Sequence, residues 1–291
     1  MKNTLYLINP KSNGGRSMKS WRKLQKKHKN LPEEPVDLTK TEDLPGFIKK
    51  ESPDLLVVTG GDGGVNSVAG AIMSLDKKPT LAVIPMGFGN ALAYNLGIES
   101  TKKAVEVIQD KPKIVSIDVM KTNIRNLPYG LFAISVGFDA QTVWGKDEKF
   151  LKPLNPYSYI FSAVSIALTH KPKKLDILID GKKKMSTKAA SLMVSNGPLI
   201  GKNIMVSGQA ELDDGLLDCT IFLSKMSYVK NLRYKGQKHP LFSKKDGKIH
   251  FKAKSIRISG EDYVQVDGEA ATLERPLELS IAKERLNFLG A

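Results

Sequence analysis

The sequence predicts an α/β domain, built on a parallel sheet with helices on both faces, followed by an all-β sandwich domain. Before about residue 120, short runs that are apolar throughout alternate with amphipathic stretches. This is the pattern of parallel strands covered by helices. After that point, short β-prone runs are separated by Gly, Asp and Lys turns, which is typical of antiparallel sheets. With 291 residues, the chain is long enough for two such domains.

The first half supplies strands and helices in alternation. The predicted strands are TLYLIN (4–9), DLLVVTG (54–60) and TLAVIP (80–85), and the predicted helices are SMKSWRKLQKKHK (17–29), VNSVAGAIMSL (65–75) and the stretch from ALAYNLGI (91–98) onward. In the second half the predicted strands lie within 131–140, 174–184, 189–197, 216–223, 248–260, 262–270 and 276–282. One helix is expected around 156–169. We find no internal repeat and no low-complexity linker.

Charge and composition narrow the classes of partner. The formal net charge is +15, and the bases fall in clusters at 19–29, 170–174, 181–185 and 230–248. Such clusters are either solvated surface or a surface for a polyanion. The chain has no zinc-finger spacing or RNP-like motif, so we expect an anionic membrane surface as the partner and no nucleic acid. One cysteine, Cys219, fits a reducing compartment, and the most apolar window, 159–168, is too short to span a bilayer. We therefore expect a cytoplasmic protein that visits membranes peripherally.

The stretch VTGGDGGVNSVAGAI (58–72) is the first candidate site. A strand that enters a glycine-rich turn and leaves as a helix directs backbone N–H groups and the helix N-terminus at one point, which favours a phosphate. The stretch is neither a Walker A loop nor a G-x-G-x-x-G fingerprint. Asp62 would repel a phosphate unless Mg²⁺ lies between them. The alternative is a tight turn with a solvated aspartate.

A second strand-to-turn joint follows at VIPMGFGNALAYNLGI (83–98). Gly87 and Gly89 again leave the backbone bare, and Asn90 is a candidate helix cap. Two such joints at the carboxyl ends of neighbouring parallel strands form the crevice in which α/β sheets bind ligands.

Several motifs occur together in a family-specific order. They are INPKS (8–12), GGDGG (60–64), IPMGFGNALA (84–93), SIDV (116–119), SVGFDA (135–140), SNGPLIGKNIMVSGQAELDDGLLDCTIF (195–222) and VDGEA (266–270). In this order and spacing the chain, from residue 5 to about 280, resembles the diacylglycerol kinase catalytic family, which includes bacterial lipid kinases and sphingosine kinases.

The resemblance implies an NAD kinase-like α/β domain over residues 1–122 together with about 275–291, and a β-sandwich lipid-substrate domain over 123–274. It also implies an enzyme, a lipid kinase that transfers the γ-phosphoryl group of ATP to a lipid hydroxyl with Mg²⁺. The lipid could be a diacylglycerol, a sphingoid base, phosphatidylglycerol or a polyprenol, and the oligomeric state is open, a homodimer included.

The resemblance assigns roles to individual positions. Catalysis would use Glu269 as the general base, with Asp62 and Asp118 in the Mg²⁺ network. The nucleotide would be held by Asn9, Thr41 (or Thr39), Gly60, Gly61, Asp62, Gly63, Gly64, Val65, Asn66, Gly87 and Phe88. A second, structural Mg²⁺ would be bound through backbone carbonyls, which would correspond to Glu211, Asp214 and Leu216. From the residues alone, Asp267-Gly268 is a hairpin turn with an exposed Glu269, and LDDGLLD is an Asp-Gly turn between strands.

Three positions depart from the family pattern. Gly64 replaces the threonine of GGDGT, and Phe88 and Ala91 replace the threonine and the aspartate of GTxND. Loss of one hydroxyl costs about 1–3 kcal/mol, whereas Phe88 would narrow the nucleotide pocket and Ala91 would weaken cation binding. Two readings follow: a divergent active kinase, or a catalytically silent relative that binds lipid or nucleotide. An NAD kinase would share GGDG but does not account for VDGEA.

Overall fold

The computed structural model describes residues 3–110, 113–146, 169–201, 205–232, 247–271, 273 and 276–291. The chain divides into two compact units, Met1–Ile117 with Glu284–Ala291, and Asp118–Lys283. The sequence predicts domain boundaries near residues 122 and 275, whereas the first unit ends at Ile117 and resumes at Glu284. The helix predicted around 156–169 lies almost entirely outside the described residues.

The first unit is built on a six-stranded sheet. Its strands are β1 (Thr4–Ile8), β2 (Val36–Asp37), β3 (Leu55–Gly60), β4 (Thr80–Pro85), β5 (Lys113–Ile117) and β18 (Leu286–Gly290), in the order β2-β1-β3-β4-β18-β5. All neighbours are parallel except β18 and β5. Every residue of β3 is buried, as expected of a central strand covered on both faces. The last strand of the chain thus completes the sheet begun by the first.

Helices in the first unit follow the strands. They are α1 (Ser12–Gly15), α2 (Ser17–Lys27), α3 (Leu44–Glu51), α4 (Asp62–Met73), α5 (Ala91–Asn95) and α6 (Thr101–Gln109). Side-chain caps fix two of their starts, since Asp43 accepts the N–H of Gly46 at 3.0 Å and Ser100 accepts the N–H of Lys103 at 3.1 Å. Helix α4 starts at Asp62, three residues before the predicted start at 65, so the glycine run ends β3 and forms the first turn of α4.

The second unit contains two six-stranded antiparallel sheets. The first consists of β6 (Met120–Thr122), β7 (Tyr129–Gly130), β9 (Lys173–Ile179), β10 (Lys183–Ala189), β14 (Ser255–Ser259) and β17 (Leu277–Ile281), in the order β10-β9-β14-β17-β6-β7. The second consists of β8 (Ala133–Gly137), β11 (Ser191–Ser195), β12 (Leu217–Phe222), β13 (Lys248–Ala253), β15 (Val264–Val266) and β16 (Glu269–Ala271), in the order β13-β12-β11-β8-β15-β16. Apolar residues of both sheets form one buried cluster, which confirms the sandwich.

The second sheet also has a polar face that is nevertheless buried. Successive residues of a strand point to opposite faces, so the polar residues of these strands share one face while the apolar ones face the core. Buried residues on the polar face include Ser135, Asp218, Thr220, His250 and Gln265. In the described part of this unit, helices α7 (Phe138–Lys146) and α8 (Lys225–Leu232) accompany the strands. No helix in the described ranges is long and apolar enough to cross a membrane.

Candidate functional site

In the first unit, the end of β1 lies against the glycine run. The N–H of Asn9 donates to the carbonyl of Thr59 at 3.0 Å, and the hydroxyl of Ser12 accepts the N–H of Gly61 at 3.3 Å. A Cβ added to Gly60 would lie 3.1 Å from Oγ of Ser12, tighter than ordinary van der Waals contact. The bare backbone therefore lets the loop after β1 close onto the loop after β3. Sequence analysis missed Ser12, although it lies in the INPKS motif.

The two glycine joints are packed backbone against backbone. A Cβ on Gly87 would lie under 3.0 Å from Cα of Gly61, and the N–H of Met86 donates to the carbonyl of Gly60 at 2.7 Å. Gly61 and Gly87 are thus required by the close approach of the ends of β3 and β4. The ligand-binding crevice expected at these two joints stays a prediction.

Asp62 is the first residue of α4, and its carboxylate lies against the N-terminus of α5. Its Oδ1 accepts the N–H of Leu92 at 3.4 Å. Burial raises the pKa of Asp62, while hydrogen bonds from the backbone N–H groups of Ala91, Leu92 and Asn90 act in the opposite direction. A carboxylate at a helix N-terminus is stabilised by the unsatisfied N–H groups there. Asp62 is therefore the N-terminal cap of α5, a role that the sequence analysis offered to Asn90.

Asn90 instead closes the turn that precedes α5. Its Oδ1 accepts the N–H of Gly87 and its Nδ2 donates to the carbonyl of Gly87, both at 2.9 Å, and it makes no cap hydrogen bond to α5. Phe88 lies within this turn, and its side chain is 74% exposed. The expectation that Phe88 narrows the nucleotide pocket stays a prediction, since exposure of the ring does not exclude a place at the mouth of a pocket.

The remaining residues that were predicted to bind the nucleotide differ in their hydrogen bonds and burial. The N–H groups of Gly64 and Val65 donate to the carbonyl of Gly61, and the Val65 side chain is buried in the core. Asn66 Oδ1 and Thr59 Oγ1 are buried without a hydrogen-bond partner among the described residues. Thr59 precedes the glycine run and was not predicted.

The two candidate threonines both contact Asp37 at the end of β2. The Thr39 hydroxyl donates to the Asp37 carboxylate at 2.8 Å, whereas the Thr41 hydroxyl donates to the Asp37 carbonyl at 3.3 Å. Asp37 pairs with Ile8 of β1, one residue before Asn9. Thr41 is half-buried and Thr39 is exposed, so Thr41 is the better placed of the two for a built site.

In the second unit, Asp118 forms hydrogen bonds to the loop in which the structural metal is predicted. Its Oδ2 accepts the N–H of Gly215 at 2.6 Å, and its N–H donates to the carbonyl of Leu212 at 2.7 Å. Asn196 Nδ2 donates to the carbonyls of Asp118, at 2.6 Å, and Leu131, at 3.0 Å. Sequence analysis missed Asn196, which lies in the SNGP motif and links three segments.

The metal predicted at Glu211, Asp214 and Leu216 would be bound through backbone carbonyls, and the side-chain contacts of this loop leave that prediction untested. Asp214 Oδ1 accepts the N–H of Leu216 at 3.0 Å, and Asp214 Oδ2 contacts Nζ of Lys252 at 2.6 Å. Burial disfavours the charged amine of Lys252, but the hydrogen bond to Asp214 and the charge of Asp218 outweigh burial and raise its pKa. Glu211 is exposed. The described residues contain no group of three or more His, Cys, Asp or Glu side chains that could hold a metal.

Glu269 is exposed and follows a two-residue hairpin turn between β15 and β16. Asp267 and Gly268 form this turn with φ of 50° and 82°, as the Asp-Gly pair predicts. The Asp267 carboxylate is buried and accepts the N–H groups of Leu131 (2.6 Å), Phe132 (3.0 Å) and Ala133 (2.9 Å). The hairpin that presents Glu269 is thus tied to the start of β8, a contact that sequence analysis did not foresee.

Comparison with known proteins identifies the family of each half of the chain. Residues 3–122 match the diacylglycerol kinase catalytic domain, and residues 132–290 match the YegS C-terminal NAD kinase beta sandwich-like domain. A protein of Staphylococcus aureus (strain JH9), whose name describes it as a candidate lipid kinase, is 25% identical over 239 residues, which cover 81% of this chain and 77% of that protein.

Two solved structures share the fold. A diacylglycerol kinase from Bacillus anthracis str. Sterne superposes with a TM-score of 0.72 at 22% identity, with 100% of this chain and 97% of that chain covered. A candidate diacylglycerol kinase from the same organism gives a TM-score of 0.76 at 23% identity, with 100% and 95% covered. The two matched domains together span nearly the whole chain, and the chain therefore belongs to the diacylglycerol kinase catalytic domain family, with a YegS-type β-sandwich as its second domain.

Proposed function

We propose that this protein is an ATP-dependent lipid kinase that transfers the γ-phosphoryl group to a lipid hydroxyl. The observation that carries the proposal is the closure of the Asn9–Ser12 loop onto the bare backbone of Gly60 and Gly61, next to the N-terminus of α4. A helix N-terminus with exposed backbone donors is suited to phosphate. The Phe88 side chain is 74% exposed and is therefore not packed into the protein interior.

The residues of the cradle fit a nucleotide phosphate. The N–H groups of Gly64 and Val65 already serve the carbonyl of Gly61, so we assign phosphate binding to the Gly63 N–H and to the side chains of Asn9 and Ser12. Bound ATP supplies the phosphoryl group, and Mg²⁺ neutralises its charge. Asp62 would contribute one carboxylate to that ion, because a desolvated carboxylate with a raised pKa is stabilised by a nearby cation.

The base of the reaction would be Glu269. As a carboxylate it can accept the proton of the lipid hydroxyl while that oxygen attacks phosphorus. Its exposure leaves it accessible, and the anchoring of Asp267 to residues 131–133 fixes the hairpin on which it stands. We assign Asp118 a positioning role, because its carboxylate holds the 211–216 loop by the Gly215 N–H.

The alternative is a silent relative that binds lipid or nucleotide. The absence of a hydroxyl at Gly64 and of a carboxylate at Ala91 favours it. One assay separates the two: transfer from labelled ATP to diacylglycerol, sphingoid base, phosphatidylglycerol and polyprenol in mixed micelles with Mg²⁺, with nucleotide binding measured in parallel. Glu269→Gln is the test variant, and Glu284→Gln, another exposed glutamate, is the matched control.

An active kinase gives product with the wild type and with Glu284→Gln, and a loss of roughly 100-fold or more in Glu269→Gln with nucleotide binding unchanged. Nucleotide binding without product on any lipid would instead establish the binding protein. If ATP does not bind, the cradle has lost its function and the kinase proposal fails.

We also propose that the substrate is reached at an anionic membrane face. The hairpin of β9 and β10 carries exposed lysines at Lys174, Lys182, Lys184 and Lys188, and β10 is an edge strand. Each lysine near an anionic surface contributes on the order of 1 kcal/mol. Flotation with anionic and neutral vesicles tests this, and equal binding to both would contradict it. The cluster at 230–248 lies largely outside the described residues.

A further inference from the structure

Two residues of the SVGFDA motif (135–140) belong to a buried hydrogen-bond network in the second unit. Ser135 lies on β8, and Asp139 lies in the first turn of α7. The Ser135 hydroxyl donates to Oδ2 of Asp139 at 2.5 Å, and the hydroxyl of Tyr228, on α8, donates to Oδ1. All three side chains are buried. A buried carboxylate needs several hydrogen bonds, and here they come from different elements of the unit.

Gln265 connects this network to the hairpin that carries Glu269. Its Nε2 donates to Oγ of Ser135 at 2.9 Å and to Oδ2 of Asp139 at 3.2 Å, while its Oε1 accepts the N–H of Gly268 at 2.7 Å. Gln265 is buried and lies directly opposite Ser135 in the pairing of β15 with β8. One side-chain amide therefore joins α7 to the turn that immediately precedes Glu269.

Asp139 determines which way the amide of Gln265 points. An amide offers a donor at its nitrogen and an acceptor at its oxygen, whereas a carboxylate is an acceptor. The nitrogen must therefore face Asp139, and the oxygen is left for the N–H of Gly268. In the reversed orientation two acceptors would meet at Asp139 and two donors would meet at Gly268, and buried polar groups without a partner are destabilising.

Gln265 acts on Glu269 through the backbone of the turn. In the pairing of β15 with β16, Glu269 lies opposite Val266, and Ala270 lies opposite Gln265. Directly opposite residues share a face of the sheet and successive residues alternate, so the side chains of Gln265 and Glu269 leave opposite faces. Gln265 is thus placed to hold the turn and not to contact a hydroxyl bound at Glu269.

We propose that Asp139 and Gln265 are positioning residues for Glu269. Asp139 orients the amide of Gln265, and the amide oxygen holds the turn that presents Glu269. The role in catalysis rests on the proposed function, in which Glu269 is the base of a lipid kinase. Asp267 ties the same turn to the start of β8, so the turn is held at both of its residues.

An exchange of the two functional groups tests the orientation. Gln265→Glu keeps an oxygen for the N–H of Gly268 but places a second carboxylate against Asp139. Asp139→Asn removes the acceptor that selects the orientation, so the amide of Gln265 can reverse. In the double variant the amide stands at position 139 and the carboxylate at position 265. A donor then faces an acceptor again, and an oxygen faces Gly268 again.

The kinase assay reads out the positioning. On the lipid that the wild type phosphorylates, we expect kcat to fall about tenfold or more in each single variant, with KM for ATP within about twofold of the wild type. The double variant should recover to within about threefold of the wild-type kcat. Gln109→Glu, the same change at an exposed position on α6, should behave like the wild type. Single variants that keep kcat, or a double variant that regains the wild-type melting temperature without regaining kcat, would overturn the proposal.

Hydrogen exchange separates this proposal from the kinase assignment. The wild-type Gly268 amide should exchange at least about 100-fold more slowly than the amide of Gly181, an exposed glycine in the turn between β9 and β10. In Asp139→Asn the Gly268 amide should exchange at least about tenfold faster than in the wild type. A wild type without activity on any lipid removes the kinase assignment, and exchange then decides alone whether the turn is anchored. Equal exchange of the two glycines in the wild type overturns the anchoring even in an active kinase, and this comparison stands if the variants fail to fold.

Discussion

Asp267 provides the sharpest test of how the Glu269 hairpin is held. The Asp267 side chain is 3% exposed and accepts three backbone N–H groups, two on Oδ1 and one on Oδ2. Asp267→Asn preserves the turn, because asparagine also tolerates positive φ. It replaces one acceptor oxygen with an NH₂ group, so at least one buried N–H loses its partner. Such a loss costs about 1–3 kcal/mol, and more when the lost acceptor was charged.

The chain offers a matched control for this change. Asp180 starts the turn between β9 and β10 and also precedes a glycine, with φ of 50° at Asp180 and 68° at Gly181. Its Oδ1 accepts the N–H groups of Lys254 (2.8 Å) and Ser255 (2.9 Å), but Asp180 is exposed. Water can replace the lost acceptor there, so Asp180→Asn should cost about 0.5 kcal/mol.

Urea unfolding followed by the fluorescence of Trp144 measures both costs. Trp144 Nε1 donates to the carbonyl of Val264 on β15 at 3.1 Å, so it reports on the strand that leads into the Asp267 turn. The chain has two tryptophans, and a Trp21→Phe background removes the other signal from every variant compared. Equal costs for Asp267→Asn and Asp180→Asn, within about 0.5 kcal/mol, would refute the claim that burial of the Asp267 network fixes the hairpin.

Two further predictions concern the first unit. Gly87→Ala should lower the free energy of unfolding by about 3 kcal/mol, because the added Cβ would meet the Gly61 backbone. Gly70→Ala, which has open space around its Cβ, should instead raise the free energy of unfolding by about 0.5–1 kcal/mol. Equal effects of the two substitutions in urea unfolding would contradict the close contact of the two joints. Asp62→Asn should raise the free energy of unfolding at neutral pH, and this gain should disappear below about pH 4. The reason is that burial raises the pKa of Asp62, so the native state releases this proton at higher pH than the unfolded chain does. Urea unfolding across pH tests this, and a gain that persists in acid would rule out the ionised carboxylate as its cause.

Local features of the sequence were sufficient for the architecture. Strand β3 was predictable because LLVVTG is apolar throughout and precedes glycine, and the Asp267-Gly268 turn because Asp-Gly favours a two-residue hairpin. Both signals lie within a few residues of the element they specify. The start of α4 was placed three residues late, since glycines were read as a turn although a helix can begin on them.

The chemical partners within the site were not predictable in the same way. Asp62 caps a helix that begins 29 residues later, Asp214 pairs with Lys252 38 residues away, and Asp267 accepts N–H groups 134 to 136 residues before it. Each pair meets because strands far apart in sequence are neighbours in a sheet. When only the sequence is known, an aspartate in a glycine loop cannot be distinguished from an aspartate that caps a distant helix.

The three departures from the family motifs differ in their physical consequences. A Cβ at Gly64 would lie 3.5 Å from Cβ of Asn9, an ordinary contact, so a threonine there is not excluded by packing, and the glycine removes a hydroxyl without altering the backbone. Phe88 extends into solvent from a turn that Asn90 closes. Ala91 is buried beside the Asp62 cap, where a second carboxylate would face the first. The departures therefore remove a hydroxyl and a carboxylate but keep the backbone of the two glycine joints, so a test of the proposed kinase must measure nucleotide binding and phosphoryl transfer separately.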